Sequence, residues 1–249
     1  MTPNRPVTPN RPLVLAHRGD HRVVPENTLA AFHAALALPG CDGLEFDVRL
    51  SRDGVPVVIH DETLERVQRR PVRVADLAAD ALEALGVPSL RAVLEIVPVD
   101  AFLDVELKED AAEPVVDALR DSRVGGEGRG VVSSFDADTL VHLGRIAPGR
   151  SRWLNAHELG DEAIDLAARL GCAGIAARWG SVSARGVARA REAGLEVAAW
   201  TVRRAATFER LAGLGVVAVC VEGEALGLAT SGPPDDTRPG APGGDHPFT

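Results

Sequence analysis

The chain has 249 residues, long enough for a full apolar core and close to the usual size of one eight-fold α/β barrel. Hydrophobic residues make up 45% and charged residues 25%, a globular balance that excludes a fibrous or low-complexity chain. With 27 basic against 36 acidic side chains the formal net charge is -9, which offers nucleic acid no electrostatic footprint.

Residues 2–7 and 8–13 repeat one hexapeptide, Thr-Pro-Asn-Arg-Pro closed by Val or Leu. Two copies are too few for a repeat fold, and the prolines favour an extended arm, so a flexible tail is expected over 1–12. The start lacks the apolar segment of a signal peptide, and no apolar run approaches the ~18 residues of a membrane span. Both point to a cytoplasmic protein with no stable membrane insertion. Cys41, Cys172 and Cys220 form no Cys-x-x-Cys and lie in or beside apolar segments, as buried small hydrophobes in a reducing compartment would.

From there strand and helix patterns alternate. A short apolar run at 13–16 precedes an Ala/Leu-rich helix over 28–38, with Asn27 or Thr28 as its cap. Residues 44–50 alternate, with Leu44, Phe46, Val48 and Leu50 on one side and Glu45, Asp47 and Arg49 on the other. Asp53-Gly54 makes a turn and 55–59 returns as a strand, a hairpin inserted into the alternation. Short helical patterns over 74–97 lead to a strand at 101–107 and a helix at 111–121. Strands at 130–134, 152–155, 173–176 and 196–202 are each followed by a helix, at 137–146, 162–170, 182–193 and 205–214, before a last strand at 216–221. Leaving out the return strand gives eight strands alternating with helices, which predicts a single TIM (β/α)8 barrel over 13–229 with a small insertion after the second strand. An open doubly wound sheet is the alternative; no Gly-x-Gly-x-x-Gly follows a strand to support dinucleotide binding. The Pro-, Gly- and Asp-rich stretch 230–249 is expected to be a second flexible tail.

The polar chemistry gathers where strands end. In a parallel barrel those ends converge on one mouth, where the active site lies. Glu45 and Asp47 are two apart in a strand and share a face, and Glu106 ends a similar strand. Three carboxylates without cysteine suit a hard cation, Ca²⁺ or Mg²⁺. The bland alternative pairs Glu45 and Asp47 with Arg49 or Arg52 on a wet strand face. His17 and His60 also end apolar runs, and two imidazoles can divide proton transfer between nucleophile and leaving group. Arg18 and Lys108 can neutralise phosphate oxygens, or simply pair with Glu26 and Glu109. Asp61 either orients a histidine or starts a turn. Trp200 is placed as a wall of the pocket, Ser134, Asn155 and Arg178 are weaker candidates, and His33, His142, His157 and His246 lack comparable settings. Together these residues describe a metal-assisted acid/base site for a phosphate ester.

His17-Arg-Gly, Pro25-Glu-Asn-Thr28, Glu45-x-Asp47, Asp53-Gly54, Pro56-Val-Val-Ile-His-Asp61, Leu64-x-Arg66, Pro88-Ser-Leu90, Glu106-x-Lys108, Ser133-Ser-Phe135 and Trp200-Thr-Val202 together resemble the successive signatures of the glycerophosphodiester phosphodiesterase family, in order, from about residue 13 to 225. The resemblance implies metal-dependent hydrolysis of glycerophosphodiesters to sn-glycerol 3-phosphate and an alcohol, a step of lipid and glycerol metabolism. It implies metal ligation by Glu45, Asp47 and Glu106, catalysis by His17 and His60, and phosphate contacts from Arg18 and Lys108. Two departures stand out: Cys220-Val-Glu-Gly-Glu224 replaces the family's usual Ile-Thr-Asp ending, and Arg203 replaces an asparagine after Trp-Thr-Val. A lyase forming a cyclic phosphate and a non-catalytic phosphate-ligand binder are the rival readings. With no membrane segment in view, the substrate is expected to be a soluble small molecule.

Overall fold

The strands close into a ring. The computed structural model describes residues 11–122 and 129–229. Its strands are β1 (Leu13–His17), β2 (Gly43–Leu50), β3 (Pro56–Val58), β4 (Phe102–Leu107), β5 (Gly130–Ser134), β6 (Arg152–Ala156), β7 (Gly174–Arg178), β8 (Glu196–Val202) and β9 (Ala218–Val221). All but β3 are parallel and pair in the order β1-β2-β4-β5-β6-β7-β8-β9, and β9 returns to pair with β1. That closure makes the sheet an eight-stranded barrel of the TIM type and removes the open-sheet alternative.

The helices are α1 (Leu29–Leu36), α2 (Glu65–Gln68), α3 (Ala79–Glu83), α4 (Leu90–Ile96), α5 (Ala112–Asp121), α6 (Ala137–Ile146), α7 (Asp161–Arg169), α8 (Ala184–Glu192), α9 (Ala205–Leu214) and α10 (Glu224–Ala229). The expected helices are all present, and α2 and α10 are short additions. Thr28, rather than Asn27, caps α1: its hydroxyl oxygen accepts from the Ala31 amide at 3.2 Å.

Two-residue periodicity sorts every strand into two faces. Val14, Ala16, Leu44, Phe46, Val48, Leu103, Val105 and Leu107 face outward and join the shell between barrel and helices. Leu15, Val131, Trp153, Ala176, Ala198, Ala218 and Cys220 face inward and fill one end of the barrel. Each large apolar side chain removed from water in these layers contributes about 1.5–3 kcal/mol. The apolar plug fills one end, so polar residues are left for the other.

β3 runs antiparallel to β2, with Val48 opposite Val58 and Leu50 opposite Pro56. This hairpin and the short helices after it form the insertion expected behind the second strand. It carries a small core of its own, Val57, Ile59, Leu64, Val74, Leu82 and Val87. All three cysteines are free, with Cys172 and Cys220 buried and Cys41 partly so. The predicted tails at 1–12 and 230–249 lie outside the described residues except for Arg11 and Pro12; Arg11 donates to Asp42 at 2.7 Å and Pro12 is buried.

Candidate active site

The inward face of each strand, followed one step past the apolar plug, leads to a polar side chain. On β1, Leu13 and Leu15 lead to His17; on β4, Phe102 leads to Asp104 and Glu106; on β8, Ala198 leads to Trp200. Register then sets neighbours: His17 is opposite Glu45, Asp47 is opposite Glu106, and Glu45 is opposite Asp104. His17, Arg18, Glu45, His60, Glu106, Lys108 and Trp200 line one cleft of about 620 Å³ at the barrel mouth. Asp47 is fully buried beside it. Every residue singled out for metal, phosphate or proton therefore comes to one place.

His60 arrives by a different route from the rest. It follows the antiparallel β3, whose end is tied to β2 where the Ile59 amide donates to the Asp47 carbonyl at 2.9 Å. The loop after β1 is equally specific. Arg18 and Asn27 both adopt positive φ, 58° and 55°. These left-handed backbones are costly for side-chain-bearing residues and cluster at functional sites. Their reward is convergence on one carboxylate: Arg18 Nε is 3.0 Å from Asp47 Oδ2, and Asn27 Nδ2 donates to the same oxygen at 2.9 Å. Gly19, at φ 81°, passes so close to α1 that a Cβ would lie 2.7 Å from the Ala31 carbonyl carbon.

Glu45, Asp47 and Glu106 each offer an oxygen, all within 4.8 Å of one another. Burial drives the Glu45 carboxyl well above its ordinary value, and Asp47 and Glu106 add repulsion. Glu106 is raised by burial and by Asp47, whereas Asp47 is held low because Arg18, His60 and Lys108 outweigh its burial. Beneath them Asp104 is pushed up to about 7 by burial, despite a hydrogen bond from the Ser133 hydroxyl at 2.6 Å. Glu45 Oε2 and Asp47 Oδ1 are buried with no hydrogen-bond donor. Orphaned carboxylate oxygens in an enclosed site are costly unless a cation meets them. An all-oxygen donor set of this kind fits a divalent cation.

The alternative pairings resolve individually. Arg49 donates to the His60 carbonyl and Arg52 to the Asp76 carbonyl, so neither neutralises Glu45 or Asp47. Arg18 does bond Glu26, at 2.9 Å, while also serving Asp47. Lys108 Nζ is 2.5 Å from Glu106 and 3.6 Å from Asp47, and Glu109 instead accepts from the Leu50 amide. Asp61 pairs with His60 Nδ1 at 2.7 Å and accepts from Arg66 Nε at 2.5 Å. Trp200 Nε1 donates to the Ala176 carbonyl at 2.8 Å, which fixes the indole in the wall. Of the weaker candidates, Asn155 lines the cleft and donates to the Ser133 hydroxyl, Ser134 donates to the Leu107 carbonyl, and Arg178 pairs with Glu158.

Several lining residues escaped the sequence reading. Glu222 Oε2 pairs with His17 Nδ1 at 2.9 Å, and Arg203 Nε donates to its other oxygen. Burial would raise the Glu222 carboxyl, but His17, His21 and Arg203 beside it hold it below the usual carboxylate range. Glu222 lies one inward step beyond Ala218 and Cys220, the same parity that leads β1 to His17. His157, set aside from sequence, lines the cleft and packs against Phe135 and Trp200 with ring centroids 5.1 and 5.7 Å apart.

The sequence model of the glycerophosphoryl diester phosphodiesterase family matches residues 17–223. The chain belongs to this family. Its membership makes it a phosphodiesterase. A glycerophosphodiester phosphodiesterase of Caldanaerobacter subterraneus subsp. tengcongensis is 31% identical over 225 residues, covering 82% of this chain and 91% of that one. The structure of an Oleispira antarctica phosphodiesterase in complex with the product sn-glycerol-3-phosphate superposes with a TM-score of 0.76 at 26% identity, covering 85% and 93% of the two chains. A glycerophosphodiester phosphodiesterase from Agrobacterium tumefaciens gives a TM-score of 0.75 at 29% identity, covering 88% of this phosphodiesterase and 99% of that chain.

Proposed function

We propose that this phosphodiesterase hydrolyses soluble glycerophosphodiesters to sn-glycerol 3-phosphate and an alcohol, with one divalent cation, Ca²⁺ or Mg²⁺, and acid/base catalysis by His17 and His60. The observation that carries the reading is the convergence of three cation-ready carboxylates with two imidazoles, each held at Nδ1 by its own carboxylate. Glu45, Asp47 and Glu106 would hold the cation, which as a Lewis acid supplies charge stabilisation to a phosphoryl oxygen.

The chain's own residues supply the rest. Glu222 and Asp61 accept from Nδ1 of His17 and His60, which leaves each Nε2 as the working nitrogen. One imidazole takes the proton from the attacking oxygen and the other gives a proton to the departing alkoxide. Arg18 and Lys108, held against Asp47, direct positive charge at the non-bridging phosphate oxygens. Trp200, Phe135 and His157 wall the cleft with rings beside the phosphate-binding groups.

Phosphorus NMR of glycerophosphocholine incubated with the protein tests this. Conversion to a phosphomonoester, glycerol 3-phosphate, is the expected outcome. Accumulation of a cyclic phosphodiester would replace it with the lyase reading, and an unchanged diester with the binder reading.

A further inference from the structure

A second group of donor atoms lies in the same mouth but differs in chemistry from the carboxylate trio. His17, His21 and Glu222 each offer one ligand atom, a ring nitrogen or a carboxylate oxygen, and these lie within 4.8 Å of one another. Glu222 Oε2 is 2.9 Å from His17 Nδ1 and 3.5 Å from His21 Nε2. A tetrahedral ion with bonds of about 2.0–2.2 Å to nitrogen and oxygen spaces its donors roughly 3.3–3.6 Å apart. The two spacings to Glu222 Oε2 are thus already close to edges of such a tetrahedron.

Two further observations single this cluster out. His21 Nε2 is buried and has no hydrogen-bond partner, although its ring faces Glu222. Arg203 engages Oε1 of Glu222, which orients the carboxylate and leaves Oε2 to the two imidazoles. Two imidazole nitrogens and one carboxylate oxygen form a borderline donor set that prefers Zn²⁺ to Mg²⁺ or Ca²⁺. The trio of Glu45, Asp47 and Glu106, all oxygen, has the opposite preference.

We infer that His17, His21 and Glu222 form a second metal site, selective for Zn²⁺, whose occupation inhibits the enzyme. The ion would replace the proton on His17 Nδ1, releasing it to solvent, and would turn the imidazole from an acid/base group into a ligand. It would also withdraw Glu222 from its role in orienting that ring. The binding claim stands without the catalytic reading above; the inhibition claim rests on it, because it requires that His17 work in turnover.

The full-length chain is titrated with Zn²⁺ in excess Mg²⁺, following zinc binding by competition with a chromophoric chelator and turnover in parallel. The wild type is expected to bind one zinc and lose activity as it does so. His21→Ala is expected to weaken zinc binding, and to raise the half-inhibiting concentration relative to its own zinc-free turnover, by at least ~10-fold. An unchanged affinity in folded His21→Ala, or no zinc bound by the wild type, overturns the site. Zinc binding that depends on His21 without inhibition keeps the site and removes His17 from turnover. If His21→Ala does not fold, X-ray absorption of the zinc-loaded wild type decides: imidazole nitrogen donors support the site, and oxygen donors alone overturn it.

Discussion

His17 and His60 share one design on different backbones. Each ring is pinned at Nδ1 by a carboxylate, Glu222 at 2.9 Å and Asp61 at 2.7 Å, and each carboxylate is itself held by an arginine, Arg203 or Arg66. A ring held this way loses little entropy when it transfers a proton. His17→Ala and His60→Ala are each expected to lower kcat by about 10²–10⁴-fold, with the double variant losing less than the product of the two. Glu222→Gln, which keeps the shape but loses the charge, is expected to lower kcat by less than His17→Ala. Steady-state kinetics of the four variants check this series. Wild-type turnover in either single histidine variant would remove that residue from the chemistry.

At the scale of elements, strands were the most legible part of the sequence. Leu44 to Leu50 alternates so regularly that the inward face of β2, with Glu45 and Asp47, follows from period alone. His60 was legible too: Asp53-Gly54 and the apolar run after it read as the return strand of an inserted hairpin, and that strand pairs antiparallel with β2 outside the barrel's eight. Glu222 was hidden because β9 is only Ala218–Val221 and fully apolar, so the carboxylate after it reads as the start of a loop. His157 was hidden because its stacking partners, Phe135 and Trp200, come from other βα units and only closure brings them together. The helix caps, by contrast, are local and readable. Asp136 accepts from the Asp138 and Thr139 amides at the start of α6. Those bonds, the Thr139 side chain first, hold its carboxyl below the usual range. A depressed carboxyl adds stability that is present above its unfolded value and lost as pH falls through its folded value. Asp136→Ala is therefore expected to cost about 0.5–2 kcal/mol near neutral pH and progressively less in acid below about pH 4. Urea unfolding of the two proteins at pH 7 and pH 3 measures it; an equal cost at both would show that the cap charge is irrelevant.

For the whole molecule, the barrel and its tight mouth explain why an acidic protein can act on an anion. The formal net charge is -9, yet Arg18 and Lys108 are set against Asp47 in the cleft and bring positive charge to it. Closure also sets the central problem of the site, since it crowds Glu45, Asp47, Asp104 and Glu106 into one enclosed end. Among the described residues no helix is long and apolar enough to cross a membrane. The proposed cation relieves the crowding and completes the chemistry, so its removal should be felt in both stability and turnover. The most direct measurement is turnover of glycerophosphocholine, with Tm followed alongside, by protein stripped with chelator and then titrated with Mg²⁺ or Ca²⁺. The account predicts no turnover in chelator, recovery with the added cation, and a Tm rise of roughly 5–10 °C at a hundredfold excess over the dissociation constant. Full turnover in excess chelator, by protein shown to hold no metal, would contradict it.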